Sequence, residues 1–280
     1  MTAIGSENHE NVDELLTLAK RTALAAGALV HERRTEGVEI ADRKSTPTDI
    51  VTQADRESES LIRALIADAR PDDGFFGEEG AATPGTSGLT WVVDPIDGTV
   101  NYLYDIPAYA VSIAVVEGEP DPTTWRALAG VVVGPAGGEL YTATAGGGAY
   151  LGTRRLQVTR GTELAQALVG TGFGYEAGRR ERQAQLLARL IGRVRDIRRI
   201  GSAALDLCAI ASGRLDAYYE IGLHPWDHAA GALVAAEAGA RVGGLDGAAA
   251  TEALTIAAEP ALFDQLAPVL AELDVLSVAG

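Results

Sequence analysis

The run Trp91-Val-Val-Asp-Pro-Ile-Asp-Gly-Thr-Val-Asn101 puts two carboxylates, Asp94 and Asp97, on either side of a proline-containing turn, with Gly98-Thr99 directly after them. Trp91, Val92 and Val93 favour a buried strand, which delivers Asp94 at its carboxyl end, where ligands of α/β sheets gather. Pro95 is expected to stop that strand. Carboxylates on a stiff turn suit a hard divalent cation such as Mg²⁺, which takes oxygen ligands and lets a phosphate supply some of them. The backbone N–H groups of Gly98 and Thr99 suit the phosphate itself. Alone, the segment also reads as an ordinary Asp-Pro and Asp-Gly turn.

Two further acidic motifs flank it in sequence. Gly77-Glu78-Glu79-Gly80 follows the apolar pair Phe75-Phe76, so carboxylates again sit at the end of a short strand. Trp226-Asp227-His228-Ala229-Ala230-Gly231 opens an Ala-rich helical run, in which Asp227 has a competing role as the helix N-cap. Asp55 has the same competing role in its own helix. Glu-Glu, Asp-Pro-Ile-Asp-Gly-Thr and Trp-Asp-x-Ala-Ala-Gly in this order favour chemistry over three unrelated turns.

At these residues the chain resembles the inositol monophosphatase family of Mg²⁺-dependent, lithium-sensitive phosphatases. The resemblance runs from Lys44 to about Gly244 and takes in Lys44-Ser-x-Pro-Thr-Asp49, Val51-Thr52-x-x-Asp55 and Pro107-Ala-Tyr-Ala-Val-Ser-Ile113. Gly201-Ser-Ala-Ala-Leu-Asp-Leu-Cys208 and Asp216-Ala-Tyr-Tyr-Glu220 point to the bacterial type of that branch. The resemblance implies a layered αβαβα sandwich of the sugar-phosphatase class and two or three Mg²⁺ ions. The metal ligands it implies are Glu78, Asp94, the Ile96 carbonyl, Asp97 and Asp227, with the Thr99 hydroxyl close to the first ion. Glu78, Thr99 and Asp55 are the implied catalytic groups. Asp97, Gly98, Thr99, Gly201, Ser202, Ala203 and Glu220 are the implied substrate contacts, and Lys44 is expected near the phosphate. A homodimer is implied as well. Tyr102, Ser202 and Pro225 depart from the usual family residues without removing a ligand.

Composition narrows the alternatives. With 280 residues and 47% hydrophobic content the chain can bury a sizeable core. A net charge of −16 argues against a nucleic-acid surface, because phosphate backbones would be repelled. An acidic protein that takes an anionic substrate needs an intermediary cation. Cys208 is the one cysteine, so no intramolecular disulfide can form, and it reads as a small buried hydrophobe. Residues 1–14 lack the basic and apolar regions of a signal peptide, and no apolar run is long enough to span a bilayer. The cytoplasm is the expected compartment.

The elements follow from periodicity. Helices are expected at residues 12–32, 55–69, 179–195, 202–212, 227–238 and 260–273. Residues 36–52 read as a polar flap or hairpin. Strands at 74–76 and 90–93 precede an antiparallel meander at 109–117, 127–133 and 139–144. Strand–helix alternation then brings strands at 167–170, 196–200, 215–220 and 255–258. The chain is expected to divide into an α+β half, 1–157, and an α/β half, 158–280, with the site between them. Gly170-Thr-Gly-Phe-Gly174 lacks dinucleotide-binding spacing. Eight arginines between Arg179 and Arg199 read first as a solvated helix face, then as a subunit interface, and last as an RNA contact.

The leading expectation is a phosphatase acting on myo-inositol 1-phosphate. Fructose 1,6-bisphosphate, histidinol phosphate and a 3′-phosphoadenosine nucleotide are rival substrates. A bisphosphate requires a cationic pocket for its second phosphate, which the metal motifs do not provide. A protein that mainly docks a regulatory partner is the alternative from another class.

Overall fold

The computed structural model describes residues 4–278, and side chains from residue 12 onward; the first residues of the polar 1–14 stretch lie outside that range. Helix α1 (Ile4–Glu36) leads into a hairpin of β1 (Ile40–Arg43) and β2 (Ile50–Thr52), then α2 (Gln53–Ala69). A seven-stranded sheet follows in spatial order β3 (Gly74–Gly77), β4 (Leu89–Asp97), β5 (Ala110–Glu117), β6 (Arg126–Gly134), β7 (Glu139–Thr144), β8 (Gly148–Leu151) and β9 (Arg154–Arg155). A short helix, α3 (Thr99–Leu103), interrupts it between β4 and β5. Only β3–β4 is parallel; from β4 to β9 the sheet is the expected antiparallel meander.

The second sheet has five strands in the order β11 (Asp196–Arg198), β10 (Leu168–Thr171), β12 (Ala217–Glu220), β14 (Thr255–Ala258) and β13 (Arg241–Gly243). Its helices are α4 (Ala177–Leu190), α5 (Ala203–Ala211), α6 (Pro225–Glu237) and α7 (Pro260–Glu272). The arginine-rich helix ends sooner than its apolar spacing suggests. After Leu190 a 3₁₀ turn, Ile191–Arg193, takes over and leaves Ile191 exposed.

Side-chain alternation along the strands builds the layers. On β5, Val111, Ile113 and Val115 face α1 and α2, while Ala110, Ala114 and Val116 face α5 and α6. A third apolar cluster joins the other face of the small sheet to α4 and α7, through Val169, Ile256, Leu186 and Leu266. The result is α1/α2, large sheet, α5/α6, small sheet, α4/α7: the layered αβαβα sandwich. The shared middle layer packs closely because its residues are small. A methyl group on Gly130 of β6 would come within 3.1 Å of the Ala230 carbonyl of α6. Among the described residues no helix is long and apolar enough to cross a membrane.

Two local expectations need correction. Pro95 does not stop β4; the strand runs on to Asp97, which pairs with Ala110 across a register shift after Asp94. A residue without an N–H is tolerated where the ladder is already interrupted. Neither Asp55 nor Asp227 is an N-cap. Thr52 caps α2 and His224 caps α6, and each aspartate occupies the third helical position, its carboxylate accepting the N–H of the cap residue at 2.8 and 2.7 Å.

Candidate active site

The end of β4, the turn after β3, the first turn of α6 and the loop after β12 open onto one cleft of about 430 Å³. Glu78, Asp94, Ile96, Asp97, Gly98, Thr99, Gly201, Ala203, Glu220 and Asp227 all line it. Asp55 and Ser202 do not. Both are buried one layer behind, Asp55 fully and Ser202 at 1% exposure, and each acts on a lining residue. Ser202 Oγ donates to Asp97 Oδ2 at 2.6 Å, and the Ala204 N–H donates to the same oxygen at 2.7 Å. In this arrangement the Ser202 hydroxyl orients Asp97 from behind the cleft wall.

Asp94 is buried as well, at 1% exposure, and its Oδ1 accepts the Ile96 N–H at 3.0 Å. Gly98, at φ +92°, makes the corner after β4. A side chain there would press within 2.9 Å of the Ala108 carbonyl and 3.0 Å of the Gly201 carbonyl, so only glycine lets the chain turn into α3. The Thr99 hydroxyl lies 3.2 Å from Asp55 Oδ1 and 3.0 Å from the Ile96 carbonyl, and its one proton can serve either acceptor. Asp55 is further held by the Thr52 N–H and hydroxyl.

Crowded burial has an electrostatic price. Burial, followed by the charges of Glu78, Asp97, Asp227 and Asp55, pushes the Asp94 carboxyl well above its ordinary range. Burial does the same to Asp227, with Glu78 and Asp97 adding to it. Asp97 rises to about 6 through burial, held down by Ser202 and Ala204, and Asp55 to about 7 through burial. Lys44, from the turn of the β1–β2 hairpin, is the cation beside them. Its Nζ lies 2.6 Å from Glu78 Oε1 and 2.5 Å from Glu79 Oε1. Burial works against the Lys44 ammonium, yet the two glutamates hold it above its usual range.

The donor set is all oxygen and strongly anionic, which fits a hard dication. As placed, no three His, Cys, Asp or Glu side chains among the described residues are gathered into a ready-made cage. Each carboxylate leans instead on a donor of the chain: Glu78 on Lys44, Asp94 on Ile96, Asp97 on Ser202 and Asp227 on His224.

Part of the cleft was not foreseen. Gly172, Phe173, Gly174 and Tyr175, from the glycine-rich stretch after β10, line it. So do Arg179 and Arg199, the two ends of the arginine-rich segment. Glu220 stands among them, pushed up to about 7 by burial, with the Tyr218 hydroxyl bond and the Arg199 charge pulling back. His224 lines the cleft too, stacked on Trp226 with ring centroids 5.0 Å apart, whereas His228 is buried. Apart from Glu220, no local spacing marked these residues, because they come from separate segments of the chain. The glycines were the available signal, since each one clears room for a long side chain.

A deep acidic cleft between the sheets of an αβαβα sandwich defines a protein built to neutralise an anionic ligand through cations. The chain belongs to the inositol monophosphatase family, whose model matches residues 11–274. It is 47% identical over 272 residues to the inositol-1-monophosphatase SuhB of Mycobacterium tuberculosis, covering 90% of this chain and 91% of that protein. It is 36% identical to a Pasteurella multocida protein named Nus factor SuhB, covering 91% and 95% of the two chains. The crystal structure of the Bartonella henselae suppressor protein SuhB superimposes with a TM-score of 0.84 at 33% identity, covering 92% and 98%.

Proposed function

We propose that the chain is a Mg²⁺-dependent phosphomonoesterase that converts myo-inositol 1-phosphate and similar monophosphates to the free polyol and phosphate. The observation that carries this reading is the convergence of Glu78, Asp94, Asp97 and Asp227 on one cleft, beside Gly98-Thr99. In this reading Glu78, Asp94, the Ile96 carbonyl, Asp97 and Asp227 hold two or three Mg²⁺ ions. When bound, the ions supply charge neutralisation for the phosphate and make water a better nucleophile at neutral pH.

The chain's own groups do the rest. The N–H groups of Gly98 and Thr99 face the phosphate, and Glu78 accepts the proton of the attacking water. The Thr99 hydroxyl relays a proton toward Asp55, for which its 3.2 Å contact is suited. Gly201, Ala203 and Glu220 meet the polyol hydroxyls, and Asp97, steadied by Ser202, joins them. The homodimer, the lithium sensitivity and the division into halves at residue 157 belong to the same reading.

The test is phosphate release from myo-inositol 1-phosphate with Mg²⁺ and again after exhaustive chelation. Release should vanish with the metal and return on its readdition; full activity in EDTA would sink the reading. A second reading, a partner-binding role, is favoured by the relative named a Nus factor. It predicts a partner retained by a variant that has lost turnover.

A further inference from the structure

We infer that Tyr218 is a positioning residue for polyol recognition: its hydroxyl clamps Glu220 in a clearing made by Gly170 and Gly172, so that the carboxylate keeps one oxygen for the substrate. This role rests on the phosphatase reading above and deepens its polyol subsite. Tyr218 and Glu220 alternate on β12 and so share one face of the small sheet. β10 runs parallel beside that strand, with Gly170 paired to Tyr218 and Thr171 to Tyr219. Gly172, the next residue, falls beside Glu220. The first two glycines of Gly170-Thr-Gly-Phe-Gly174 therefore recur at the spacing of the two side chains they face. A methyl on Gly170 would come within 3.2 Å of the Tyr218 ring, and one on Gly172 would collide with both Glu220 oxygens. Neither glycine has a positive φ, so what they supply is space and not a turn.

A buried phenol must find an acceptor. Tyr218 is fully buried, and its hydroxyl donates to Glu220 Oε2. Among the described residues no donor takes Oε1, although Glu220 lines the cleft. Glu220 therefore has one oxygen fixed from behind and one left for hydroxyl groups in the cleft. Asp206 borders the same clearing, its Oδ1 lying 3.5 Å from the methyl position on Gly170. That oxygen is buried and takes no hydrogen bond, so the Tyr218 proton goes to Glu220 and not to Asp206. A glutamate left loose would lose several torsions on meeting a substrate, and that loss opposes binding. Held by Tyr218 and seated on Gly172, Glu220 is ordered before the polyol arrives.

The experiment compares myo-inositol 1-phosphate with p-nitrophenyl phosphate, an aryl ester without ring hydroxyls, in the presence of Mg²⁺. Tyr218→Phe keeps the buried ring and removes the clamp. The ratio of kcat/KM for the inositol ester to that for the aryl ester should fall by about tenfold, the scale of one hydrogen bond to a charged group. The loss should appear in KM for the inositol ester, because binding is impaired and chemistry is not. Gly172→Ala should lower the ratio likewise, since its methyl displaces the carboxylate from an unstrained backbone. In a Glu220→Ala background neither change should lower the ratio further, because no carboxylate is left to hold. An unchanged ratio in Tyr218→Phe, or an equal loss on both esters, overturns the assignment. So does a Tyr218→Phe loss that persists in the Glu220→Ala background, which would make the hydroxyl's role architectural. If the wild type hydrolyses neither ester, the phosphatase reading fails, and calorimetric binding of the two esters supplies the same ratio. If neither ester is bound, the clamp falls with it.

Discussion

Two groups of residues line the cleft, and they are built from opposite materials. In one group the side chains are short carboxylates carried on strand ends and first helical turns, and each is tied by a hydrogen bond to a neighbouring backbone or hydroxyl group. Asp94, Asp97 and Thr99 are buried, so their positions are set by the layers behind them. In the other group the side chains are long: Tyr175 and Arg199 stand on the loops after β10 and β11 and are exposed, Arg179 sits in the first turn of α4, and Glu220 ends β12. Chemistry that needs charges fixed within fractions of an ångström favours the first construction. Recognition of variable ligands tolerates the second, because long side chains on loops can follow a substrate's shape. The difference separates turnover from choice of substrate, and substitutions in each group should divide along that line.

The largest effect is expected at Asp94. Asp94→Asn should cost more than the roughly 10²–10³ in rate lost with a single transition-state donor. Thermal unfolding in EDTA should meanwhile show the variant at least as stable as the wild type. Burial and four neighbouring acids already hold the Asp94 carboxyl well above its ordinary range, so removing its charge relieves repulsion. Near-wild-type turnover at saturating Mg²⁺ would remove Asp94 from the machinery. A large loss of stability would make its role architectural.

Thr99 comes next. Thr99→Val keeps the shape and removes the hydroxyl that spans Asp55 and the Ile96 carbonyl. A loss of about 10² in kcat is expected, the lower range for a proton-transfer group. Thr99→Ser should restore most of it. Near-wild-type turnover in Thr99→Val would take the hydroxyl out of the machinery, and a loss confined to Thr99→Ser would show that only the methyl group's packing matters.

For Glu220 the effect should appear in selectivity. Glu220→Gln is expected to lower kcat/KM for myo-inositol 1-phosphate by about tenfold, because an amide cannot accept from two ring hydroxyls as a carboxylate does. An aryl phosphate without ring hydroxyls should be spared. Equal losses on both substrates would move Glu220 to the catalytic group and erase the division.

The same contrast explains what could be read from the chain. The acidic group was legible because its residues recur at short spacing: Asp94 to Asp97, Glu78 beside Glu79, Asp227 after Trp226. The meander and most helices were legible from alternation and apolar spacing, whereas the αβαβα layering was implied by the family resemblance. β8, β9 and β13 were missed; they are two to four residues long and held by pairing partners rather than by their own pattern. Pro95 misled because a single-residue rule was applied where β4 already breaks register. Arg179 and Arg199 were read as part of a solvated face, since helical periodicity describes a helix and cannot show what its ends approach. Arg199 lies beyond the helix altogether, in a loop that only tertiary packing turns toward the cleft.

The smallest predicted effect concerns pH and isolates Glu220 from the acidic group. Its carboxyl is pushed from 4.5 to about 7 in the folded protein, chiefly by burial. The folded state therefore binds this proton more tightly than the unfolded chain. The stability it contributes is fully present below about 4.5 and is lost as pH rises through about 7. His228 acts in the opposite direction. Burial lowers it from 6.5 to about 4, so protonating the unfolded chain erodes stability as pH falls below 6.5. Asp55 and Asp97, raised by burial to about 7 and about 6, add further acid-side stabilisation, so the wild-type profile alone is a mixture. The difference between wild type and Glu220→Gln removes every group but one, provided both are measured in EDTA. Glutamine keeps an acceptor for the Tyr218 hydroxyl and carries no charge. The two proteins should unfold alike near pH 4.5. At pH 8 the variant should be more stable by roughly 1–3 kcal/mol, after allowing for solvent screening at a partly exposed site. A flat difference across that interval would mean that Glu220 is solvated and ionised throughout.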